Sequence, residues 1–249
     1  MLPPSPRLIL AIDASSSPCS SVLWAADGEA RAGGAVLASI ERAGPTGDAA
    51  LLPGLVAELL AGAGRTVADL AAVAVAVGPG SFTGLRASLA FAEGLAAGGG
   101  LPVIGVTVAE ALAVAARAEG LGAEEPGVTD RRFWCALDAR QGRLFLHRGG
   151  PPAEWEVVSL AQPPLPEAPV ALTGDAAQAL GIALHKAGVA VVVTAARQSH
   201  AREVAVAAEL RRQGLLPPLA AAPLYIDPPR ALPPRGGLRP PPVDVDAMS

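Results

Sequence analysis

The residues best suited to chemistry lie in one short run, Val77–Arg86, VGPGSFTGLR. An apolar strand, AAVAVAV (Ala71–Val77), leads into it, and an apolar helical stretch, LRASLAFAEGLAA, leads out. Strand, glycine turn and helix start form the layout in which backbone amides hold a phosphate. The spacing completes neither nucleotide signature. A Walker loop, G-x-x-x-x-G-K-[ST], fails whether counted from Gly78 or Gly80, and Lys186 is the only lysine in the chain. A dinucleotide G-x-G-x-x-G needs glycine at position 83, where Thr83 stands. What remains is a tight turn whose hydroxyls, Ser81 or Thr83, cap a helix, or an anion site at the same helix start.

Two acids stand where carboxylates do work. Asp13 ends the apolar run RLILAID, Asp138 ends CALD, and alanine follows each. A carboxylate at such a strand end, facing a crevice between lobes, can bind a metal–phosphate complex. Actin-like ATPases carry glycine after that Asp, which lets backbone approach phosphate; here the order is Asp13-Ala14-Ser15-Ser16. The alternative is that each Asp caps its own turn. His147, His185 and His200 form neither H-x-x-x-H nor H-E-x-x-H, and Cys19 and Cys135 read as buried free thiols, so no metal is expected. No G-x-S-x-G elbow exists, and GPGSF lacks its spacing, which argues against protease chemistry.

The elements that must position these groups follow from pattern. Hydrophobic residues make up 51% of 249 residues and aromatics 3%, so Ala, Val and Leu must fill a sizeable core. A net charge of −4 with no basic run argues against an autonomous nucleic-acid clamp. With no signal-peptide core and no membrane-spanning stretch, a soluble cytoplasmic protein is expected. RLILAID and CSSVLWAADGEARAGGAVL predict three strands, with Asp27-Gly28 as a hairpin turn. A helix follows over about Asp48–Ala61, then a capped short helix at Thr66–Asp69, the loop and its helix, strand LPVIGV and a helix closed by Gly120.

The second half restarts the theme. CALDARQGRLFLHR, with its Asp-Ala pair at a hairpin, mirrors LAIDASSSPCSSVLW, a sign of duplication. Further strands and a helix follow in PVALTGDAAQAL and VAVVVTAA. The last helix, SHAREVAVAAELRRQG, has Ser199 as the expected N-cap and Gly214 at its end. The expected units are an N-terminal lobe (1–104), a C-terminal lobe (105–232) and a proline-rich tail (233–249) expected to lack order.

Two helices are almost uncharged. Between Asp48 and Gly64 the only other charge is Glu58, and between Ala87 and Ala109 it is Glu93. Such helices are buried on more than one side, against their own core or against a partner. On the partner reading, Leu55, Leu59, Phe91 and Leu95 are the apolar anchors and Gly94 the point of close approach.

The segments LILAIDASSSPCSSVLW, VAVGPGSFTGLRASLAFAEGLA, PVIGVT, ALDARQGRLF and PLYIDPPRA together resemble the bacterial TsaB (YeaZ) family, in order and over nearly the whole chain. The resemblance implies an α/β fold of two ribonuclease-H-like lobes with mixed sheets, of the acetate-kinase/Hsp70/actin-like class. It implies a non-catalytic subunit in the making of threonylcarbamoyladenosine beside the tRNA anticodon, with no catalytic residues and no cofactor of its own. Asp13, Ser81 and Thr83 are the only cofactor-contact candidates. The implied partners are a TsaD-like catalytic subunit and a TsaE-like ATPase. A second copy of the chain is expected to use the same helices, tRNA to be reached only through the complex, and no membrane to be involved. On this reading the loop shapes a pairing helix, and Phe82 and Arg86 join the partner-facing residues. The competing reading is a free-standing ATP-dependent phosphotransferase of the same fold. Two departures from the family pattern stand out: GPTGDAALLPGL (Gly44–Leu55), where many relatives carry a histidine, and the long tail.

Overall fold

The computed structural model describes residues 7–27, 33–43, 48–120, 133–149 and 154–227. The expected Asp27-Gly28 turn falls partly outside them, and the proline-rich tail wholly so. The first sheet contains β1 (Arg7–Asp13), β2 (Cys19–Ala26), β3 (Gly34–Arg42), β4 (Leu70–Gly78) and β5 (Val103–Thr107) in the order β3-β2-β1-β4-β5. The second contains β6 (Phe133–Asp138), β7 (Arg143–Arg148), β8 (Trp155–Ser159), β9 (Val170–Thr173) and β10 (Val191–Val193) in the order β10-β9-β6-β7-β8. Read from its other edge, the second sheet repeats the first strand for strand. In each, the three leading strands pair antiparallel and the fourth joins the first in parallel. The duplication read from two Asp-Ala hairpins therefore extends to whole sheets.

Side-chain alternation along the central strands sorts the first lobe into two cores. Leu8, Leu10 and Ile12 of β1 and Val73, Val75 and Val77 of β4 face α1 (Leu52–Gly62) and α2 (Phe82–Gly99). Ile9 and Ala11 of β1 and Ala72, Ala74 and Ala76 of β4 face α5 (Ala201–Arg212), which meets them with Ala201, Val204, Ala205 and Ala208. Alanine on both surfaces lets helix and sheet approach closely. Each fully buried Leu, Ile or Val contributes about 1.5–3 kcal/mol, so this two-sided core dominates stability.

The helix α5 belongs to the first sheet although it comes from the end of the chain. A lobe boundary at 104/105 therefore does not describe its packing. Sequence alone could not place it, because any alanine-rich amphipathic helix fits either sheet. Its start also differs from expectation. Ser199 does not cap it; His200 occupies that position, and the hydroxyl of Ser20 on β2 accepts the Ala201 N–H at 2.8 Å. At its end Arg212 grips the fully buried Glu209, while Arg211 reaches Glu110 of α3 (Val108–Ala118). A paired buried carboxylate avoids the cost of an isolated one.

After α5 the chain runs back along the first lobe as a strap. Leu219, Ala221 and Leu224 pack on the α1/α2 core, and the Leu224 N–H donates to the Val77 carbonyl at 2.8 Å. A Cβ at Gly105 would lie 2.7 Å from the Ala220 carbonyl, so glycine is what admits the strap. Asp227 of the strap pairs with Arg143 of β7 at 2.8 Å and so ties the lobes together.

Candidate functional site

The GPGSFTGLR loop leans on the first hairpin. The Ser81 N–H donates to the Ser15 carbonyl at 2.7 Å. A Cβ at Gly80 or Gly84 would run into the carbonyl of Ser15 or of Ala14. The glycines therefore serve chain-on-chain contact, a role that spacing alone does not separate from phosphate approach. Ser81 is the N-cap of α2, its hydroxyl accepting the Gly84 N–H at 3.2 Å, whereas Thr83 is exposed in the first turn and caps nothing.

Asp13 is 2% exposed and fully engaged. Its carboxylate accepts the Ser15 N–H at 2.8 Å and the Ser199 hydroxyl at 2.5 Å, and the Ser15 and Ser199 hydroxyls lie 3.2 Å apart. Burial pushes its pKa up, opposed by the hydrogen bonds from Ser15 and Ser199 and by the charge of His200. Asp138 makes the same turn in the second lobe, accepting the Arg140 N–H at 2.8 Å. Of the two readings of these acids, the turn-capping one describes both.

Between the lobes lies an open crevice of about 520 Å³, its walls including Ser81, Phe82, Asp138, Arg140, Asp175 and Arg197. It sets two carboxylates against two guanidinium groups beside an aromatic ring. It holds no lysine, and Asp13 is not among its walls. A polyphosphate there would meet Arg140 and Arg197 as well as Asp138 and Asp175, without the lysine that a Walker site supplies. Among the described residues no three His, Cys, Asp or Glu side chains gather into a group able to hold a metal ion. Cys19 and Cys135 are buried thiols outside any disulfide, and burial raises the Cys135 thiol pKa far above its ordinary range. His147 is buried against Trp155, ring centroids 5.2 Å apart.

The two low-charge helices lie side by side on one face of the first sheet. Leu55 and Leu59 are corrected here. Both point into the α1/α2 core at 2% and 4% exposure, because α1 turns Leu52, Leu55, Val56, Leu59 and Leu60 toward the sheet. They are not outward anchors. Phe91 and Leu95 are half-buried against the same core. The solvent side instead carries small residues, Gly54, Ala57, Ala61 and Gly62 on α1 and Ala90, Gly94, Ala97 and Gly98 on α2, together with the acids Glu58 and Glu93. Nothing lies within 4 Å of a Cβ built at Gly54, Gly62, Gly94 or Gly98.

At the start of α2 the surface changes character. Phe82 is 52% and Tyr225 49% exposed, with ring centroids 6.0 Å apart. The Arg86 guanidinium lies 3.8 Å from the Phe82 centroid, and its Nε donates to the Tyr225 hydroxyl at 2.7 Å. Sequence reasoning singled out Phe82 and Arg86 but missed Tyr225, which reaches them only because the strap returns along β4.

Two repeated mixed sheets with a crevice between them, and helices packed on each, define a two-lobed α/β protein. Within that class the chain resembles the TsaB (YeaZ) family, as its motifs imply. Residues 49–151 match the family model described as TsaD: tRNA N6-adenosine threonylcarbamoyltransferase. The chain is 36% identical over 137 residues to the tRNA threonylcarbamoyladenosine biosynthesis protein TsaB of Escherichia coli, covering 55% of this chain and 52% of that protein. It is 42% identical over 96 residues to the tRNA N6-adenosine threonylcarbamoyltransferase of Maricaulis maris, covering 39% of this chain and 24% of that one. The chain thus spans about half the length, or less, of the curated relatives it matches. YeaZ from Pseudomonas aeruginosa superposes with a TM-score of 0.65 at 23% identity, over 88% of this chain and all of that one, which shows a shared fold. Among the described residues no helix is long and apolar enough to cross a membrane.

Proposed function

We propose that this chain is a non-catalytic partner subunit in the transfer of threonylcarbamoyl to adenosine in tRNA, acting by docking a TsaD-like catalytic chain. The observation that carries the reading is the solvent side of α1 and α2, where four glycines have open space above them and Ala57, Ala61, Ala90 and Ala97 lie among them, with Glu58 and Glu93 as the exposed acids. Small side chains on adjacent helices let a second pair of helices approach closely and bury backbone-near apolar surface. Phe91 and Leu95 sit at the edge of that surface, and Gly94 near its middle. The same face serves a second copy of the chain when the catalytic partner is absent, a TsaE-like ATPase joins the assembled pair, and tRNA is met through the complex. The likeness to the E. coli TsaB protein and to the M. maris threonylcarbamoyltransferase supports the pathway.

The test is size-exclusion chromatography with light scattering on this chain mixed with the TsaD-like protein of the same organism. A stable heteromer is expected. Calorimetry with magnesium-ATP on the isolated chain accompanies it. Sub-millimolar binding with turnover, and no heteromer, would replace this reading with that of a free-standing phosphotransferase.

A further inference from the structure

We propose that Arg86 is a pre-set clamp for one carboxylate of the protein that docks on α1 and α2, held ready by Phe82 and Tyr225. The inference rests on the docking reading above and adds the chemistry of the contact. An exposed arginine ordinarily samples many rotamers and loses that freedom on binding. Here the guanidinium lies 3.8 Å from the Phe82 ring centroid and is fixed at Nε by the Tyr225 hydroxyl at 2.7 Å. Its two Nη nitrogens have no partner among the described residues, although the side chain is exposed. That free pair is the edge that meets a carboxylate or phosphate in bidentate fashion.

The surroundings favour a protein carboxylate over an RNA phosphate. Phe82 also walls the crevice, where Asp138 and Asp175 offset Arg140 and Arg197, and the chain carries net charge −4, so this corner adds no net positive charge for a polyanion to meet. One turn along the helix the face becomes Ala90, Gly94 and Ala97, a surface that packs against a helix and strips water from an adjoining ion pair. Exposed aromatic and arginine residues at the rim of such a face match the composition of binding hot spots. Glu93 lies seven residues beyond Arg86 on the same exposed side, about 10 Å along the axis. The complementary partner therefore presents an acidic residue and a basic residue about that far apart, flanking small side chains.

The experiment measures pairing of the full chain with the TsaD-like protein of the same organism by surface plasmon resonance, with circular dichroism melts as the fold control. Arg86→Ala and Arg86→Lys are each expected to weaken pairing roughly tenfold or more, since lysine keeps the charge but lacks the fork. Tyr225→Phe, which frees the guanidinium, is expected to weaken it several-fold. Arg86→Glu is expected to abolish pairing, and a single Asp or Glu→Arg change on the docking face of the partner to restore it. If Arg86→Ala fails to fold, Arg86→Lys and the charge swap carry the result. Folded Arg86→Ala that pairs within about twofold of wild type overturns the clamp while leaving the docking reading intact. So does lysine serving as well as arginine, or a loss confined to tRNA retention or to self-association. Absence of pairing by the wild-type chain removes both.

Discussion

The Ser199 hydroxyl donates to the Asp13 carboxylate at 2.5 Å, joining residues 186 positions apart in the chain. Ser199 precedes His200, the N-cap of the helix that crosses back to the first sheet, and Asp13 ends the central strand of that sheet. A group that sequence offers as a metal–phosphate ligand is, in the fold, the latch that seats α5. The neighbouring cap, from Ser20 to the Ala201 N–H, fixes the same junction from β2.

Asp13 predicts an unusual pH dependence. Burial raises its pKa in the folded chain above the ordinary 3.8, so the fold holds that proton where the unfolded chain has released it. Its contribution to stability therefore declines as pH rises from about 4 through the raised value. Asp13→Asn keeps an oxygen to accept the Ser15 N–H and removes the buried charge. The variant should show a flatter slope above pH 4. Urea unfolding between pH 4 and 8 checks this; an unchanged slope would show that Asp13 ionises in the fold as it does in the unfolded chain.

His147 acts in the opposite direction. Burial beside Trp155 lowers its pKa from 6.5 to about 4, so the unfolded chain takes up a proton in that window and the fold does not. Stability is lost as pH falls from 6.5 toward 4 and is unaffected by this group at pH 7 and above. Its size is on the order of 3 kcal/mol at most. His147→Leu should fold and lose that part of the acid sensitivity. Melting temperatures at pH 7 and pH 4.5 for both proteins measure it, and parallel losses in the two would assign the sensitivity elsewhere.

Two glycines of α2 should respond oppositely. Gly84→Ala drives a Cβ into the Ala14 carbonyl and should cost about 1–3 kcal/mol, since backbone must shift. Gly94→Ala meets open space and should be neutral or stabilise by up to about 1 kcal/mol through helix propensity. Gly94→Arg should also keep the fold, while wedging a docked helix away and weakening pairing at least tenfold. Thermal unfolding and light scattering on the three variants give the result. Loss of fold in Gly94→Arg would place that surface in the core, and normal pairing would move the interface elsewhere.

The central elements were legible in the sequence because their patterns are local. The alternation AAVAVAV marks a two-sided strand, with its valines and alanines already sorted by face. Ser81 three residues before Gly84 marks the start of α2, and the paired Asp-Ala hairpins mark a repeated lobe. The motif GPGSFTGLR likewise carried the family resemblance without any coordinates. Other features required the tertiary structure, because they depend on residues brought together over long loops. Leu55 and Leu59 look the same in sequence whether a helix turns them to a partner or to its own sheet, and only packing against β2 and β3 decides. The same holds for Ser199, whose spacing suits a cap but whose hydroxyl finds a buried carboxylate instead. Gly80 and Gly84 satisfy a phosphate loop or a close backbone crossing equally well until Ala14 and Ser15 are seen against them. Tyr225 becomes part of a surface with Arg86, 139 residues away, because α5 docks on the first sheet and the chain after it returns along β4, where Leu224 pairs with Val77. Local sequence sets which face of an element is apolar; the choice among the surfaces able to cover that face belongs to the whole chain.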